Sequence, residues 1–429
     1  MKKLFITSAT CLLTSYILFA QNYCGSSRYD TVVFSNVTID STVVYGSNTN
    51  INNQTEILKL NVYQPTGDTA AIRPLIILAH GGSFMGGDKR DMSYICMEMA
   101  KRGYVAVSIN YRLGIGFPID SIHAMRAVWR ATQDMKASVR FFRKDAATTN
   151  SYKIDPNMIF IGGASAGAIM AVHYAYLDQP AEIPSTIDTT IVGGLEGASG
   201  NSGYSSDVKA IINICGAIAD TCWMKPGDKN MVSLQGNNDN TVPYCSDFVY
   251  LISFKIMIIH GLGTMVQRAN HIGLYNPVHT FYGQDHGSPG DTINIDTTIV
   301  LASDFLYKQM GCIPSNTVDY TNSPLCLTNL PNTPACILNA GTNDIVLTNE
   351  KVFLYPNPAS ENLTLTLLET KGRNFFGEIL DITGRKINEF NFNSDNYLIM
   401  RNGIQSGIYL LKLKTDAGES FTTKIIFTD

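Results

Sequence analysis

A repeated alternation of short apolar segments and longer helical ones, between about Glu56 and Met310, constrains the fold of this chain most. The short segments are continuously apolar, which is typical of strands buried on both faces. They span residues 74–80, 104–111, 158–163, 210–217, 231–236 and 279–283. Helical spacing and length occur in residues 92–102, 121–144 and 165–177. This alternation predicts an α/β fold, with a mostly parallel sheet covered by helices on both faces.

The length of 429 residues exceeds what one hydrophobic core usually serves, so we expect two domains of unequal size. Residues 21–312 are assigned to the α/β domain. Residues 313–350 are rich in Pro, Asn and Thr and have no helical period, which is typical of a linker. Residues 351–429 consist of short strand-like segments with Gly-containing turns, which predicts a small all-β sandwich.

Residues 1–20 combine two lysines, an apolar stretch and a small residue, Ala20, before Gln21. This pattern is typical of a secretory signal peptide cleaved near Ala20. A membrane anchor is the alternative, but the stretch is short and contains Ser and Thr. Because no later segment is long and apolar enough to span a bilayer, we expect an exported mature chain without a transmembrane segment.

Composition and residue spacing argue against nucleic-acid binding and against a structural metal site. A net charge of -4, without a run of basic residues, offers no surface for nucleic acid. The sequence has no CxxC pair and no His/Cys cluster with the spacing of zinc ligands, so a structural metal has no support.

Eight cysteines remain once Cys11 is removed with the signal peptide, and an even number in an exported chain permits disulfides. Cys326 and Cys336 form the most local candidate pair, although connectivity does not follow from sequence. For Cys96 and Cys215, which lie in apolar segments, buried free thiols are the alternative.

Ser165 stands among small residues, directly after an apolar segment and directly before a helical one. The stretch from Gly163 to Gly167 reads GASAG, which has the form G-x-S-x-G. A serine at such a strand-to-helix turn has a strained backbone that only small neighbours permit, and its hydroxyl points out of the carboxyl edge of the sheet. The following helix directs N–H groups to the place where negative charge develops in acyl transfer. A tightly packed Gly/Ala loop is the alternative for this segment taken by itself.

A serine hydroxyl is a weak nucleophile and needs a base, an orienting acid and oxyanion donors. The stretch HGGSFMGG begins at His80, directly after the first strong strand. Its glycines let backbone N–H groups approach a substrate oxygen closely. The predicted oxyanion donors are the amides of Gly81, Gly82, Ser83 and Ala166. His80 is expected to be a structural residue beneath this loop, because the base follows the serine in this arrangement.

The acid and the base are expected later in the chain, in the order Asp or Glu and then His. Asp239 follows the segment 231–236, and His286 follows the segment 279–283. Both lie where the loops of a parallel sheet converge on a ligand. The side chain of Asp285 would point away from its neighbour His286, so Asp239 is the better orienting carboxylate. For either residue alone, a turn-forming Asp or a surface His is the alternative.

The span of about residues 56–310 resembles the α/β-hydrolase family, and within it the esterase and lipase branch that includes carboxylesterases and secreted feruloyl or acetyl-xylan esterases. The stretches that carry the resemblance are HGGSF, NYRLG, GASAG, GNNDNTVPY and DHG. The resemblance implies that Ser165 is acylated, that His286 relays the proton and that Asp239 holds the imidazole. One departure is that Ser83 replaces the third glycine of the usual HGGG loop.

Residues 351–429 are similar to type IX secretion sorting domains, which export proteins across the outer membrane of certain Gram-negative bacteria. The stretches LYPNPASENLTL, ILDITGRKI and SGIYLLKLKTDAGESFTTKIIF carry this similarity. It implies that the secretion machinery is a partner and that the protein is secreted or held at the outer-membrane surface.

These observations predict a secreted serine ester hydrolase that forms an acyl-enzyme intermediate and uses no metal or organic cofactor. Its substrate is an ester, with polysaccharide-linked and polymeric esters among the candidates. A serine peptidase with the same triad is one alternative. A catalytically silent surface adhesin on a hydrolase scaffold is another.

The pocket that selects the substrate is less defined by sequence. Phe84 and Tyr244 are candidates for an apolar lining, and core packing explains either residue about equally well. Residues 186–206 are a candidate flap over the site, and residues 248–275 are a candidate wall.

Overall fold

The computed structural model describes residues 23–326 except 26, 253, 317, 322 and 325, and residues 351–429 except 356, 369–373, 395 and 416–419. The chain divides into two compact units, whose described parts are residues 23–326 and 351–429. The predicted signal peptide and most of the predicted linker lie outside the described residues. None of the helices within these ranges has the length and apolarity that a membrane crossing requires.

The centre of the first unit is an eight-stranded sheet in the spatial order β1-β2-β4-β3-β5-β6-β7-β10. The strands of this unit are β1 (Val37–Thr49), β2 (Thr55–Pro65), β3 (Arg73–Ala79), β4 (Val105–Ile109), β5 (Ile154–Ala164), β6 (Ala210–Ile214), β7 (Asn230–Gly236), β8 (Ser246–Leu251), β9 (Phe254–His260) and β10 (Val278–Phe281). β1, β2 and β4 pair antiparallel, and all pairs from β4 to β10 are parallel. β8 and β9 form a separate antiparallel hairpin.

Helices cover both faces of this sheet. They are α1 (Ser93–Lys101), α2 (Ser121–Ala147), α3 (Ala166–Tyr176), α4 (Thr189–Val192), α5 (Leu262–Ile272) and α6 (Ile295–Gln309). Successive side chains of a strand point to opposite faces. Accordingly, Leu75 and Ile77 of β3 pack with residues of α2 and α3, whereas Ile76 and Leu78 pack with residues of α1 and α6. Burial on both faces explains why this strand is continuously apolar, and the predicted α/β fold is confirmed.

Two parts of this architecture were not predicted from the sequence. β1 is largely exposed and pairs with β2 at the edge of the sheet, so neither its composition nor its burial resembles that of the central strands. The β8–β9 hairpin begins just before residue 248 and otherwise lies within residues 248–275. These residues were expected only to form a wall of the pocket.

A buried ion pair attaches the segment after β4 to α2. The guanidinium of Arg112 lies 2.8 Å from a carboxylate oxygen of Asp134, and both side chains are at most 4% exposed. The backbone N–H of Arg112 donates to the same carboxylate at 2.8 Å, and the hydroxyl of Ser199 donates to it at 2.5 Å. Each charge is therefore compensated inside the unit.

Disulfides close two long loops, Cys24–Cys312 and Cys245–Cys326. The pairing of Cys326 with Cys336, the most local candidate in the sequence, is wrong because Cys326 bonds a cysteine 81 residues away. Cys96 and Cys215 are buried free thiols. The bond at Cys326 attaches the first residues of the predicted linker to the first unit.

The second unit is a sandwich of two antiparallel sheets. Its strands are β11 (Lys351–Tyr355), β12 (Asn362–Leu368), β13 (Phe375–Asp381), β14 (Lys386–Phe392), β15 (Asn396–Met400), β16 (Gly407–Thr415) and β17 (Ser420–Phe427). One sheet has the order β11-β12-β15 and the other β14-β13-β16-β17. Leu363 and Ile399 from the first sheet share a core with Ile379 and Leu411 from the second.

We expect Asp134→Ala to lower the free energy of unfolding of the first unit by about 3–5 kcal/mol, because it leaves the buried Arg112 without its counter-charge. Urea denaturation followed by tryptophan fluorescence reports on this unit, since Trp129 and Trp223 both lie in it. Arg90→Ala is the control, because it removes a pair whose arginine is 80% exposed and is expected to change little. Equal effects of the two substitutions would contradict the assigned role of burial.

Candidate active site

Ser165 occupies a sharp turn between β5 and α3. β5 ends at Ala164, α3 begins at Ala166, and Ser165 between them has φ 54° and ψ -119°. A positive φ is uncommon for a residue with a Cβ and costs about 1–3 kcal/mol. Surrounding contacts must therefore hold the turn, which is the conformation expected from the G-x-S-x-G stretch.

The glycines of this turn are required because the end of β3 lies directly against them. A Cβ at Gly163 would come within 2.4 Å of the carbonyl oxygen of Ala79, and a Cβ at Gly167 within 2.1 Å of the same atom. These distances leave no space for any side chain. The small residues around Ser165 thus allow the backbone of the turn to touch the neighbouring strand.

Two hydrogen bonds connect Ser165, His286 and Asp239. His286 Nε2 lies 2.9 Å from Ser165 Oγ, and His286 Nδ1 lies 2.7 Å from Asp239 Oδ2. Because a carboxylate only accepts hydrogen bonds, Nδ1 carries the proton and Nε2 is free to accept from the serine hydroxyl. The three side chains, 121 and 47 residues apart along the chain, meet at the carboxyl edge of the sheet.

Asp239 is held by four hydrogen bonds in a fully buried position. Its Oδ1 accepts from the backbone N–H groups of Thr241 and Val242, each at 2.9 Å. Its Oδ2 accepts from Gln235 Nε2 at 3.0 Å, besides the bond from His286. Donors on both oxygens fix the plane of the carboxylate.

The sequence did not single out Gln235, which is buried at the end of β7. Its side-chain N–H₂ group also donates to the carbonyl of Val242 at 2.7 Å, and its Oε1 accepts from the backbone N–H of Leu262 at 3.2 Å. Gln235 therefore links the loop of Asp239 to the start of α5. The sequence signal that could have identified Gln235 as a site residue was its position at the carboxyl end of a strand.

The loop after β3 lies beside the serine. A Cβ on Gly81 would be 3.2 Å from the Cβ of Ser165, so the two backbones are in close contact. Gly82, Ser83 and Phe84 have successive positive φ angles of 108°, 54° and 59°. A run of positive φ angles gives this loop a tight, unusual backbone conformation beside Ser165. The amide of Ala166 directly follows Ser165 at the start of α3, and Ala166 lines the same cavity as Ser83.

His80 supports this loop from below and is fully buried. Its Nδ1 lies 2.7 Å from the carbonyl oxygen of Gly81, and its ring stacks on Tyr111 with centroids 4.5 Å apart. The hydroxyl of Tyr111 donates to the carbonyl of His80 at 2.9 Å. Burial lowers the pKa of His80, which keeps the ring neutral at neutral pH.

Two cavities open on either side of Ser165. The first, called here the apolar cavity, has a volume of about 80 Å³ and is bounded by the loop after β3, α2, α3 and the β8–β9 hairpin. The second, called the open cavity, has a volume of about 550 Å³ and is bounded by α1, the start of α6 and the loop of His286. Of the residues described as lining them, Ser165 alone is common to both.

The structure separates the two residues predicted to line the pocket. Phe84 lies in the wall of the apolar cavity. Tyr244 instead packs with Leu262 and Cys326, and its hydroxyl bonds to Thr280 Oγ1 at 2.7 Å. Tyr244 therefore belongs to a small satellite core, because its hydroxyl finds partners there.

The candidate flap of residues 186–206 is attached along α2. Trp129 Nε1 donates to the carbonyl of Gly193 at 3.0 Å, and Gln133 Nε2 donates to those of Val192 and Gly194 at 2.8 and 2.9 Å. The donors of all three hydrogen bonds are side chains of α2. The candidate wall of residues 248–275 does border the apolar cavity, through the β8–β9 hairpin.

Cys215 is a further neighbour of the site that sequence reasoning assigned only to the core. Its thiol donates to the carbonyl of His286 at 3.3 Å. Burial raises the pKa of this thiol, and the negative charge of Asp239 raises it further. Ligand atoms of Cys215, Asp239 and His286 lie within 4.8 Å of one another, which is the spacing of a metal site. The imidazole and the carboxylate are, however, hydrogen-bonded to each other at 2.7 Å, which is the geometry of an orienting pair.

Comparison with known proteins adds family matches for both units. Residues 60–233 match the BD-FAE family, and residues 353–428 match the secretion system C-terminal sorting domain. The chain carries a BD-FAE esterase domain. The matched part of the esterase domain contains the loop after β3 and Ser165, whereas Asp239 and His286 follow it in the chain. The expectation of an esterase-type α/β domain followed by a type IX sorting domain, which indicates export, is confirmed.

Individual relatives are more distant. A neuroligin-like protein, glit-1 from Caenorhabditis elegans, is 29% identical over 115 residues, which cover 26% of this chain and 15% of that protein. Esterase 2 of Thermogutta terrifontis phosphorylated by paraoxon is 22% identical, with 64% of this chain and 95% of that one covered and a TM-score of 0.46. Its apo form is 21% identical, with coverages of 64% and 96% and a TM-score of 0.47.

We expect Gly167→Ala to destabilise the esterase domain by about 1–3 kcal/mol and to displace Ser165, because the new methyl group overlaps the carbonyl of Ala79. Thermal unfolding and ester hydrolysis measure the two effects. Gly194→Ala is the matched control, since a Cβ there meets no atom within 4 Å. A loss of similar size in the control would contradict the packing explanation.

Proposed function

We propose that the esterase domain hydrolyses carboxylic esters through an acyl-enzyme on Ser165, with His286 as general base and acid and Asp239 as the orienting carboxylate. The observation that supports this most is the pair of hydrogen bonds that His286 makes, at 2.9 Å to Ser165 Oγ and 2.7 Å to Asp239 Oδ2. A base in this position overcomes the weak nucleophilicity of a serine hydroxyl.

In the acylation half, Ser165 Oγ attacks the carbonyl carbon of the ester while its proton passes to His286 Nε2. The imidazolium that forms is stabilised by the buried carboxylate of Asp239. The carbonyl oxygen becomes an oxyanion, for which the proposed donors are the backbone N–H groups of Ala166 and of the loop at Gly81, Gly82 and Ser83. Collapse of this intermediate breaks the ester C–O bond, and His286 gives the proton to the departing alcohol oxygen.

In the deacylation half, water takes the position of the departed alcohol beside His286. The imidazole removes a proton from the water as its oxygen attacks the acyl carbonyl carbon, and a second oxyanion forms at the same donors. The bond between the acyl group and Ser165 then breaks, and the serine oxygen recovers its proton from His286. The products are a carboxylic acid and an alcohol.

Action outside the cell is part of this proposal, because the sorting domain addresses the chain to the type IX secretion machinery. Extracellular esters include polysaccharide-linked and polymeric ones, and we include both among the substrates to be tested. A panel with one acyl group on a small alcohol, an oligosaccharide and an insoluble polyester separates these classes. The rates on the three substrates show which alcohol components the site accepts.

We expect Ser165→Ala to lower the hydrolysis of p-nitrophenyl butyrate by roughly 10⁴- to 10⁶-fold and to abolish covalent labelling by a fluorophosphonate. The reason is that both reactions require the hydroxyl that bonds His286. Thr297→Ala, which removes an exposed hydroxyl outside both cavities, is the control and is expected to retain full activity.

Three outcomes decide between the proposals. Activity retained by the Ser165→Ala variant would refute the acyl-enzyme mechanism. Hydrolysis of small peptides by the native chain without ester turnover would favour the peptidase. Absence of both activities, together with no fluorophosphonate labelling, would favour a silent binding protein.

A further inference from the structure

The two cavities beside Ser165 differ in the catalytic groups they contain. Ser83 and Ala166, which supply proposed oxyanion donors, line the apolar cavity. His286 lines the open cavity. The site thus has one side at which a carbonyl oxygen is held and one side at which a proton is delivered.

This division orients an ester, provided that the proposed function holds. The alcohol oxygen must receive its proton from His286 Nε2, so the alcohol has to leave through the open cavity. The acyl chain extends from the other side of the carbonyl carbon, towards Ala166 and Phe84. We propose that the acyl chain occupies the apolar cavity and that Met125 and Val128 limit it to a short aliphatic chain.

The apolar cavity is chemically suited to hydrocarbon. Its walls include Ile115, Ile169 and Val242, and the β8–β9 hairpin adds Leu251 and Met257. No Asp, Glu, Lys or Arg is found among the described residues of its lining. Burying an apolar chain there removes it from water, whereas burying a charged or hydrogen-bonding acyl group would leave polar atoms without partners.

His173 is the one imidazole among the described residues of this wall, and its ring nitrogens do not offer free polar atoms to the cavity. Its Nδ1 lies 2.8 Å from the carbonyl of Ile169, and its Nε2 accepts from the backbone N–H of Ala219 at 3.3 Å. Burial lowers its pKa to about 4, so the ring is neutral at neutral pH. Both nitrogens are engaged by the backbone.

The volume of the apolar cavity sets the size of the acyl chain. A dry protein cavity of about 150 Å³ holds benzene, so the cavity of about 80 Å³ has room for roughly three carbons beyond the carbonyl. A butyryl group fills this space. An aromatic hydroxycinnamoyl group exceeds it.

His173 of α3 lines both the apolar cavity and a small neighbouring cavity of about 10 Å³. Met125 and Val128 of α2 also line both, and the small cavity continues towards Trp129, Leu177 and Leu195. Their side chains therefore stand between the apolar cavity and this further space. Shortening either of them joins the two and lengthens the path available to an acyl chain.

The open cavity predicts a second preference, in the alcohol. Asp91 and Asp296 line it, and the hydroxyl of Tyr94 donates to Asp296 at 3.2 Å. The described lining contains no Lys or Arg. Alcohols that carry a negative charge are therefore expected to react more slowly than neutral or cationic ones.

Val128→Ala and Val128→Leu test the acyl side, with acetyl, butyryl, octanoyl and feruloyl esters of one alcohol as probes. We expect the native chain to prefer butyryl over octanoyl and feruloyl by at least about tenfold in kcat/KM. Val128→Ala should raise the octanoyl-to-butyryl ratio by about tenfold, and Val128→Leu should lower the butyryl-to-acetyl ratio. Ratios within one variant are independent of the fraction of folded enzyme.

Asp296→Asn is the matched variant on the other side of Ser165. It should leave the acyl ratios unchanged and raise the rate on butyryl glycolate, relative to butyrylcholine, by about two- to fivefold. Acyl ratios that do not respond to Val128 while esters are hydrolysed would overturn the cavity assignment and leave the proposed function intact. Absence of hydrolysis and of fluorophosphonate labelling with every probe would instead overturn the proposed function.

Discussion

The contact between the turn at Ser165 and the end of β3 is the constraint on which the site depends. The carbonyl of Ala79 lies where a side chain at Gly163 or Gly167 would be, so only glycine lets β5, β3 and α3 come this close. The strained φ of Ser165 persists because the parallel pairing of β3 with β5 leaves the turn no room to relax. Backbone packing thereby fixes the position of Ser165, the proposed nucleophile.

The parallel sheet then determines what this serine meets. Asp239 and His286 follow β7 and β10, which pair in parallel, so their loops leave the sheet at the same edge. The carboxylate is fully buried and takes four hydrogen bonds, two of them from its own turn, which keeps it in place to orient the imidazole. The loop after β3 is likewise held by side chains: His80 Nδ1 lies 2.7 Å from the carbonyl oxygen of Gly81, and the Tyr111 hydroxyl donates to the carbonyl of His80.

Elements outside the sheet give the two sides of the site their different chemistry. The β8–β9 hairpin and α2 enclose a small apolar space, whereas α1 and α6 border a larger one that contains two carboxylates. Both spaces contact Ser165, and in the proposed function they receive the acyl half and the alcohol half of an ester. The sorting domain determines where the chemistry takes place, and it forms a separate unit with its own core.

The sequence by itself determined the α/β pattern, the serine turn and the positions of Asp239 and His286, because each depends on local periodicity or on a residue type directly after a strand. It did not determine the partner of Cys326, the core position of Tyr244 or the bonds of Gln235, because those depend on which distant segments meet. The two cavities were decided by tertiary structure alone. The volume of each cavity is the small space left between packed elements. A shift of one side chain, such as that of Val128, changes this volume, and no sequence pattern records such a shift.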